Sequence, residues 1–308
     1  MHNLHMVRET GVYFRKTMAL GLAVVTLTGL TGLGGCVYPT RGAFWGRMSD
    51  QLRGNPGEAL DPPRLRMGAM PFDAWYSPLI LLGPSDVTEH RYRQGWWVGP
   101  AGDSPRGILY ARRAGFLDLA HTRNAMDLTR FVYTPVLKAI ESGRGAVRLM
   151  SVEPDVYHVR LADGQELSPV LQRELARKIA GRIAYLMTTW HEVATWHGYK
   201  GAGVFTERPS AFSYDDAASH MVGVAAAMDA LEQEPRLNRF NAAATAALAR
   251  QLVLLEALPG EVAAKRVNAV KGRWWANSLP QLRVVHLGLP DETLWARTLD
   301  DVEVATWT

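Results

Sequence analysis

Apolar and polar positions change character about a third of the way along the chain. Residues 37 to about 106 hold no sustained period; Pro, Gly and aromatics interrupt them, as in "NPGEALDPPRLRMGAMP" and "RYRQGWWVGPAGDSPRG". That pattern predicts a tether, then irregular structure wrapped over a core, with one short strand near Gly107 to Ala111. Beyond Asp118 apolar residues recur at helical spacing and predict four helices. The first runs from Asp118 to Glu141, with Pro135 expected to bend or interrupt it. A β-hairpin follows, "AVRLMS" and "DVYHVRL", with Pro154 between its strands and the turn residues "ADGQ" after them. The second helix, Ser168 to about His197, opens on a Ser-Pro start signal and stops at Gly198. The third opens at Ser213, where Ser213 and Asp216 spell a capping box. The fourth covers Asn241 to Leu258 and ends at Pro259-Gly260, and "EVAAKRVNAV" is expected to add a shorter one. The expectation is a mainly α fold: a single globular helical domain with a small β-hairpin and irregular aromatic and Pro-rich terminal segments. In domain terms, 1–35 is a lipoprotein signal peptide, 36–106 the tether and irregular segment, and 107–308 the helical domain.

Composition adds limits. At 308 residues and 47% hydrophobic the chain has ample material for a buried core. The net charge is +4, but Arg8, Arg15 and Lys16 against Glu9 put half of it in the leader. No run of Lys and Arg interleaved with aromatics follows, so nucleic acid is not an expected partner.

The leader itself is informative. Arg15 and Lys16 precede "MALGLAVVTLTGLTGL", too short and too rich in Gly and Thr for a comfortable spanning helix and laid out like a secretory signal. It ends at Leu33, Gly34, Gly35 and Cys36, a stretch that resembles the lipobox of bacterial lipoproteins. Cys36 is the one cysteine in the sequence, so no internal disulfide competes for its thiol. A lipidated Cys36 would hold the chain at a membrane without a spanning helix. Val37, where an inner-membrane retention signal would place Asp, points to the outer membrane, with the domain facing the periplasm.

Candidate chemistry centres on the second helix. At about 100° per residue, Leu175, Ile179, Ile183, Leu186, Trp190 and Val193 fall within a sector of roughly 80°, the expected buried stripe. His191 lies at its edge, and Thr188, Glu192 and Thr195 continue round from it, on an arc expected to leave bulk water near Trp190 and Trp196. His191-Glu192 opens the zincin pattern H-E-x-x-H, but Thr195 stands where the second His belongs, and a neutral hydroxyl is a poor Zn²⁺ ligand. His197 cannot replace it, because six residues turn it roughly 120° from His191, onto the apolar stripe.

Ligands can instead come from several helices. Asp118 and His121 share the side of the first helix that carries Ala125, Leu128 and Val132, and His220 on the third lies beside Ala217, Val224, Met228 and Leu231. With His191 and Glu192 they form a candidate N/O set for a divalent metal, Zn²⁺ or Fe²⁺: His121, His191 and Asp118 as ligands, Glu192 as general base. The bland alternative is a set of buried polar groups hydrogen-bonded to one another. Ser213 and Ser219 are weaker candidates as nucleophiles, since no G-x-S-x-G elbow occurs. The pairs Trp96-Trp97 and Trp274-Trp275 offer faces on which a glycan could stack.

The blocks "RRAGFLDLAHTRNAMDLT", "WHEVATWHGY", "FSYDDAASHMVG" and "VKGRWW" together resemble a bacterial family of exported lipoproteins catalogued only as a domain of unknown function. The resemblance spans about Arg112 to Leu289. It implies site residues around Asp118, His121 and Arg123 and around His191, Glu192, Thr195 and Tyr199, with Arg123, Thr195 and Tyr199 as binding residues. Thr195 belongs to the family's pattern, so the resemblance implies no decayed zincin, whereas Asn124 and His220 depart from it. The expected function is a membrane-anchored lipoprotein with a structural or assembly role in the envelope. The alternatives are a hydrolase acting on an envelope polymer or lipid through the His/Asp/Glu cluster, and a glycan-binding module; an envelope glycan or protein is the expected partner beside the membrane.

Overall fold

The computed structural model describes residues 62, 63, 66, 80–92, 107–150, 156–161, 167–198, 211–234, 236 and 239–270. Cys36, the leader, the two Trp pairs and Tyr199 lie outside them. Five helices and two antiparallel two-stranded sheets make up the described structure, a mainly α domain: β1 (Ile108–Ala111), β2 (Gly115–Asp118), α1 (Leu119–Glu141), β3 (Ala146–Met150), β4 (Val156–Arg160), α2 (Pro169–Trp196), α3 (Tyr214–Gln233), α4 (Phe240–Leu254) and α5 (Gly260–Ala269).

The expected short strand acquires a partner that the hydrophobic pattern missed. β1 and β2 form a hairpin in which Ile108 faces Asp118 and Ala111 faces Gly115. Gly115 takes a positive φ of 74° at the turn, which a side chain would strain. Alternation then sorts the hairpin's faces: Leu109, Ala111 and Leu117 join the main core, while Ile108, Tyr110 and Phe116 pack with Ala263, Val267 and Val270 around α5. The outer edge of β1 is also covered. Leu82 N–H donates to the Ile108 carbonyl at 2.9 Å, and Leu258 N–H donates to the Tyr110 carbonyl at 2.8 Å.

α1 is the central helix, buried on nearly every side through Leu119, Met126, Phe131, Val132 and Val136. Pro135 does not interrupt it. Asp118 closes β2 and caps α1, its carboxylate accepting from the Ala120 and His121 amides, so the expected helix starts one residue later than predicted. α2 keeps its predicted bounds, with Ser168 at the N-cap and His197 at the C-cap. α4 is shorter than expected: Glu256 adopts a φ of 56°, and the chain turns back so that Ala257 bridges Ala111.

The predicted buried stripe of α2 is not the buried face. Leu175, Ile179, Leu186, Trp190 and Val193 are only half-buried, and His197 on the same side is exposed. The helix buries Ala176, Ala180, Gly181, Ile183, Ala184, Met187, Thr188, Glu192 and Thr195, an arc turned about 120° away at the helical 100° per residue. Gly181, expected on the solvated arc, is buried too. Small residues win this face because they let α3 approach: a methyl on Gly181 would overlap the Met228 sulfur. Hydrophobicity alone favours the larger side chains and so misplaces the contact. The same rule shapes α3, where Ala217 is exposed while Ala226, Ala227 and Ala230 are buried.

α1 and α3 approach each other closely at Gly223. A Cβ on Gly223 would run into the Thr122 carbonyl and Ala125 Cβ, so two helix backbones meet there without a side chain between them. Backbone on both sides leaves nothing to rotate away.

Among the described residues N-terminal to the hairpin, Arg66 and residues 80–92 pack against this core. Arg66 is buried, and its guanidinium meets Asp127 Oδ2 at 2.8 and 3.1 Å. Its backbone pairs with the Asn124 amide, which accepts from Arg66 N–H at 2.8 Å and donates to the Arg66 carbonyl at 3.2 Å. Arg123 donates to the carbonyls of Thr88 and Glu89, and His90 N–H donates to Thr245 Oγ1 on α4. His90 is fully buried against Phe240, with Nε2 3.0 Å from Asp127 Oδ1. Burial holds the His90 imidazole below its ordinary pKa, with Arg66 and Arg123 adding to the effect and Asp127 opposing it.

Two outcomes follow from these contacts. Gly223→Ala is expected to lower stability by about 2–3 kcal/mol through overpacking, while Gly145→Ala, which meets nothing within 4 Å, stays close to wild type; urea unfolding of both variants measures the difference. His90 is neutral in the fold and takes a proton in the unfolded chain below about pH 6.5. The unfolded state therefore binds more protons, and this group's contribution to stability is lost as pH falls below that value. His90→Gln, which keeps a donor toward Asp127 without titrating, is expected to flatten the fall in melting temperature between neutral and acid pH.

Candidate metal centre

The α1–α3 contact brings six polar side chains, Asp118, His121, Ser213, Asp215, Asp216 and Ser219, into one place. Asp118 is fixed twice over: its N–H donates to Ser219 Oγ on α3 at 2.8 Å, and Oδ1 accepts from Ala120 N–H at 2.8 Å. Oδ2 is left facing His121 Nδ1 at 3.4 Å. The capping box at the start of α3 works the same way. Asp216 Oδ2 accepts from Ser213 N–H at 2.7 Å, and Oδ1 lies 3.4 Å from His121 Nδ1. Asp215 Oδ1 accepts from the Ser213 hydroxyl at 2.9 Å.

α2 supplies the other wall. Glu192 is buried, and its Oε2 accepts from the Phe212 amide at 3.0 Å. Phe212 adopts a φ of 55° to aim that amide. Glu192 Oε1 has no hydrogen-bond partner among the described residues and stands 3.9 Å from His220 Nε2. Thr195 Oγ1, one turn along the same face, is likewise buried without a hydrogen-bond partner among the described residues. The ring of His121 lies 6.5 Å from that of His191 and 5.3 Å, edge-on, from that of His220.

Two groups of side chains have ligand atoms that all lie within 4.8 Å of one another: His121, His191 and Glu192; and Asp118, His121 and Asp215. The expected ligand set His121, His191 and Asp118 is therefore divided, with His121 common to both groups. Glu192, expected as a general base, stands at a ligand position. His220 belongs to neither group.

The electrostatics of the cluster pull its members apart. Burial works against a charged His121, but Asp118, Asp216 and Glu192 outweigh it and raise the imidazole to about 10. Burial and the charge of Asp216 push Glu192 up to about 8, against the opposing pull of His191, His121 and the Phe212 amide. His220 is held well below the ordinary range by burial and by the neighbouring His121 and His191. At neutral pH the cluster thus holds a cationic imidazole, a neutral one and a protonated carboxyl side by side, a demand for positive charge that a proton or a metal ion could meet.

The remaining candidates fall elsewhere. Arg123 is wholly buried and clamps the 88–92 segment from α1, away from the cluster. Ser213 and Ser219 use their hydroxyls in the capping network, Ser219 donating to the Asp215 carbonyl and accepting from Asp118 N–H. Asp215 was not singled out in sequence, because two acids in the first turn of a helix read as ordinary capping. Its register with Ser213 and Ser219 was the available signal.

The family model described as "Protein of unknown function (DUF4056)" matches residues 69–286, more than half of the 308 residues. The chain belongs to this family. The match includes every member of the DUF4056 cluster, from Asp118 to His220, together with the strap at residues 80–92. No curated protein and no solved structure matches the chain.

Proposed function

We propose that this DUF4056 protein is a periplasm-facing lipoprotein, anchored at the outer membrane through a lipidated Cys36, whose helical domain is a metal-dependent hydrolase acting on an envelope polymer or lipid. The observation that carries the enzymatic reading is the convergence of His121, His191 and Glu192 from α1 and α2. Two imidazoles and a carboxylate are a ligand set of catalytic Zn²⁺ sites and of ferrous 2-His-1-carboxylate sites, both of which keep positions open for water or substrate. A bound ion of this kind supplies Lewis acidity and a water acidified toward neutral pH.

The chain's own residues define the rest of the site. The Phe212 amide fixes one oxygen of Glu192 and turns the other inward. Asp118 and Asp216 stand at the Nδ1 edge of His121 and hold its ring in one orientation. His191 is half-buried while Glu192 is buried, so a substrate reaches the group from the His191 side. His220, neutral and 3.9 Å from Glu192, is placed to take up or return a proton through an intervening water. A structural role in the envelope is the second reading, favoured by the unbroken capping chain from Asp118 through Ser219 and Asp215 to Ser213, which needs no ion.

Elemental analysis of the mature protein extracted in detergent is expected to find at least one equivalent of Zn or Fe, lost in His121→Ala and lowered by one equivalent in His191→Ala. Metal-free protein whose melting temperature ignores both added metal and chelator would sink the enzymatic reading. For the anchor, Cys36→Ser is expected to leave the leader uncleaved or to release the protein from the membrane fraction; a processed variant retained in the membrane would contradict lipidation.

A further inference from the structure

We infer that the cluster holds two divalent cations, with a second, oxygen-rich position formed by Asp118, His121 and Asp215 on the Nδ1 side of His121. The inference rests on the metal reading above and adds a second site to it. Three observations support it. First, the two groups share one residue only, and Asp118 and Asp215 lie outside the set that surrounds His191 and Glu192, so a single ion cannot take all five side chains. Secondly, Asp118 uses Oδ1 to cap α1 and turns Oδ2 to the imidazole, while Asp215 gives Oδ1 to the Ser213 hydroxyl. The carboxylates are thereby held by the fold in the orientation a ligand needs, with little left to order on binding.

Thirdly, the spacing suits a shared ion better than a hydrogen bond. His121 Nδ1 is buried, has no hydrogen-bond partner of good geometry among the described residues, and lies 3.4 Å from Asp118 Oδ2. A good N–H···O bond to a carboxylate spans about 2.7–3.2 Å. Two adjacent ligands on one ion, with bonds of roughly 2.0–2.2 Å, stand about 2.8–3.6 Å apart across octahedral and tetrahedral geometries. Asp216 Oδ1, also 3.4 Å from Nδ1, flanks the same position. To serve the second position through Nδ1 and the first through Nε2, His121 would bind as an imidazolate, with both of its ring protons released to solvent.

The two positions differ in chemistry. One imidazole and two carboxylates favour a harder ion such as Mn²⁺, while two imidazoles and one carboxylate favour Zn²⁺ or Fe²⁺.

The test is stoichiometry by calorimetry and elemental analysis on chelator-treated mature protein in detergent, titrated with ZnCl₂ alone and then with MnCl₂ after one equivalent of Zn²⁺. Wild type is expected to bind two ions, Asp215→Asn one, His191→Ala one and His121→Ala none. Gly145→Ala, which touches no member of the cluster and meets nothing within 4 Å, is expected to bind two and serves as the control; circular dichroism and melting curves accompany every variant and report loss of fold. One ion in wild type, undiminished in Asp215→Asn, would overturn the second position while the mononuclear hydrolase stands, with Asp118 and Asp216 then acting only to orient His121. No bound ion at all would overturn both.

Discussion

The contact on which the rest depends is the meeting of two helix backbones at Gly223. Because no side chain separates α3 from the Thr122 carbonyl, the turns of α3 just before Gly223 are pressed against the start of α1. Ser219 then reaches the Asp118 amide, and His220 reaches the ring of His121. A larger residue at 223 would move α3 away and separate groups that now stand within one coordination shell of each other. The β1–β2 hairpin completes the constraint, since pairing of Asp118 with Ile108 fixes where α1 begins. The site is thus positioned by backbone, at a glycine and a strand end, and its side chains inherit that precision.

A second principle governs its chemistry. The carboxylates here divide their labour by oxygen: Asp118, Asp216 and Glu192 each tie one oxygen to a backbone N–H and turn the other toward a histidine. Capping satisfies part of each group's demand for hydrogen bonds, which lets it remain buried. It also removes rotational freedom. The result is a set of acceptors held in place before any ligand arrives, with His121 drawn strongly toward the charged form and Glu192 toward the neutral one.

The helices, their order and their caps were legible because Ser168-Pro169, Ser213 with Asp216, and Pro259-Gly260 are local signals with local causes. The facing of α2 was not. Its apolar period names Leu175, Ile179, Leu186, Trp190 and Val193, yet the domain buries Ala176, Ala180, Gly181 and Ala184, whose merit is smallness against a particular neighbour. That quality belongs to the pair of helices and is invisible along one of them. The core side of Asp118 and His121 could be read from the period of α1, whereas Asp215 looked like helix-start decoration until Ser219 and His121 stood opposite it. β2 escaped for a similar reason: four residues running straight into a helix carry too short a pattern to announce a strand. Arg123, singled out as a binding residue, donates to the Thr88 and Glu89 carbonyls.

The strap at residues 80–92 and Arg66 give the domain a definite load path. A pull that reaches Arg66 along the chain is taken up by Asp127 and Asn124 on α1. Asp127 sits six residues after His121, about 9 Å along the helix at 1.5 Å per residue. A force applied at Arg66 is therefore borne by the same helix that carries the central histidine, so the hold on the N-terminal segment and the placement of the cluster share one element.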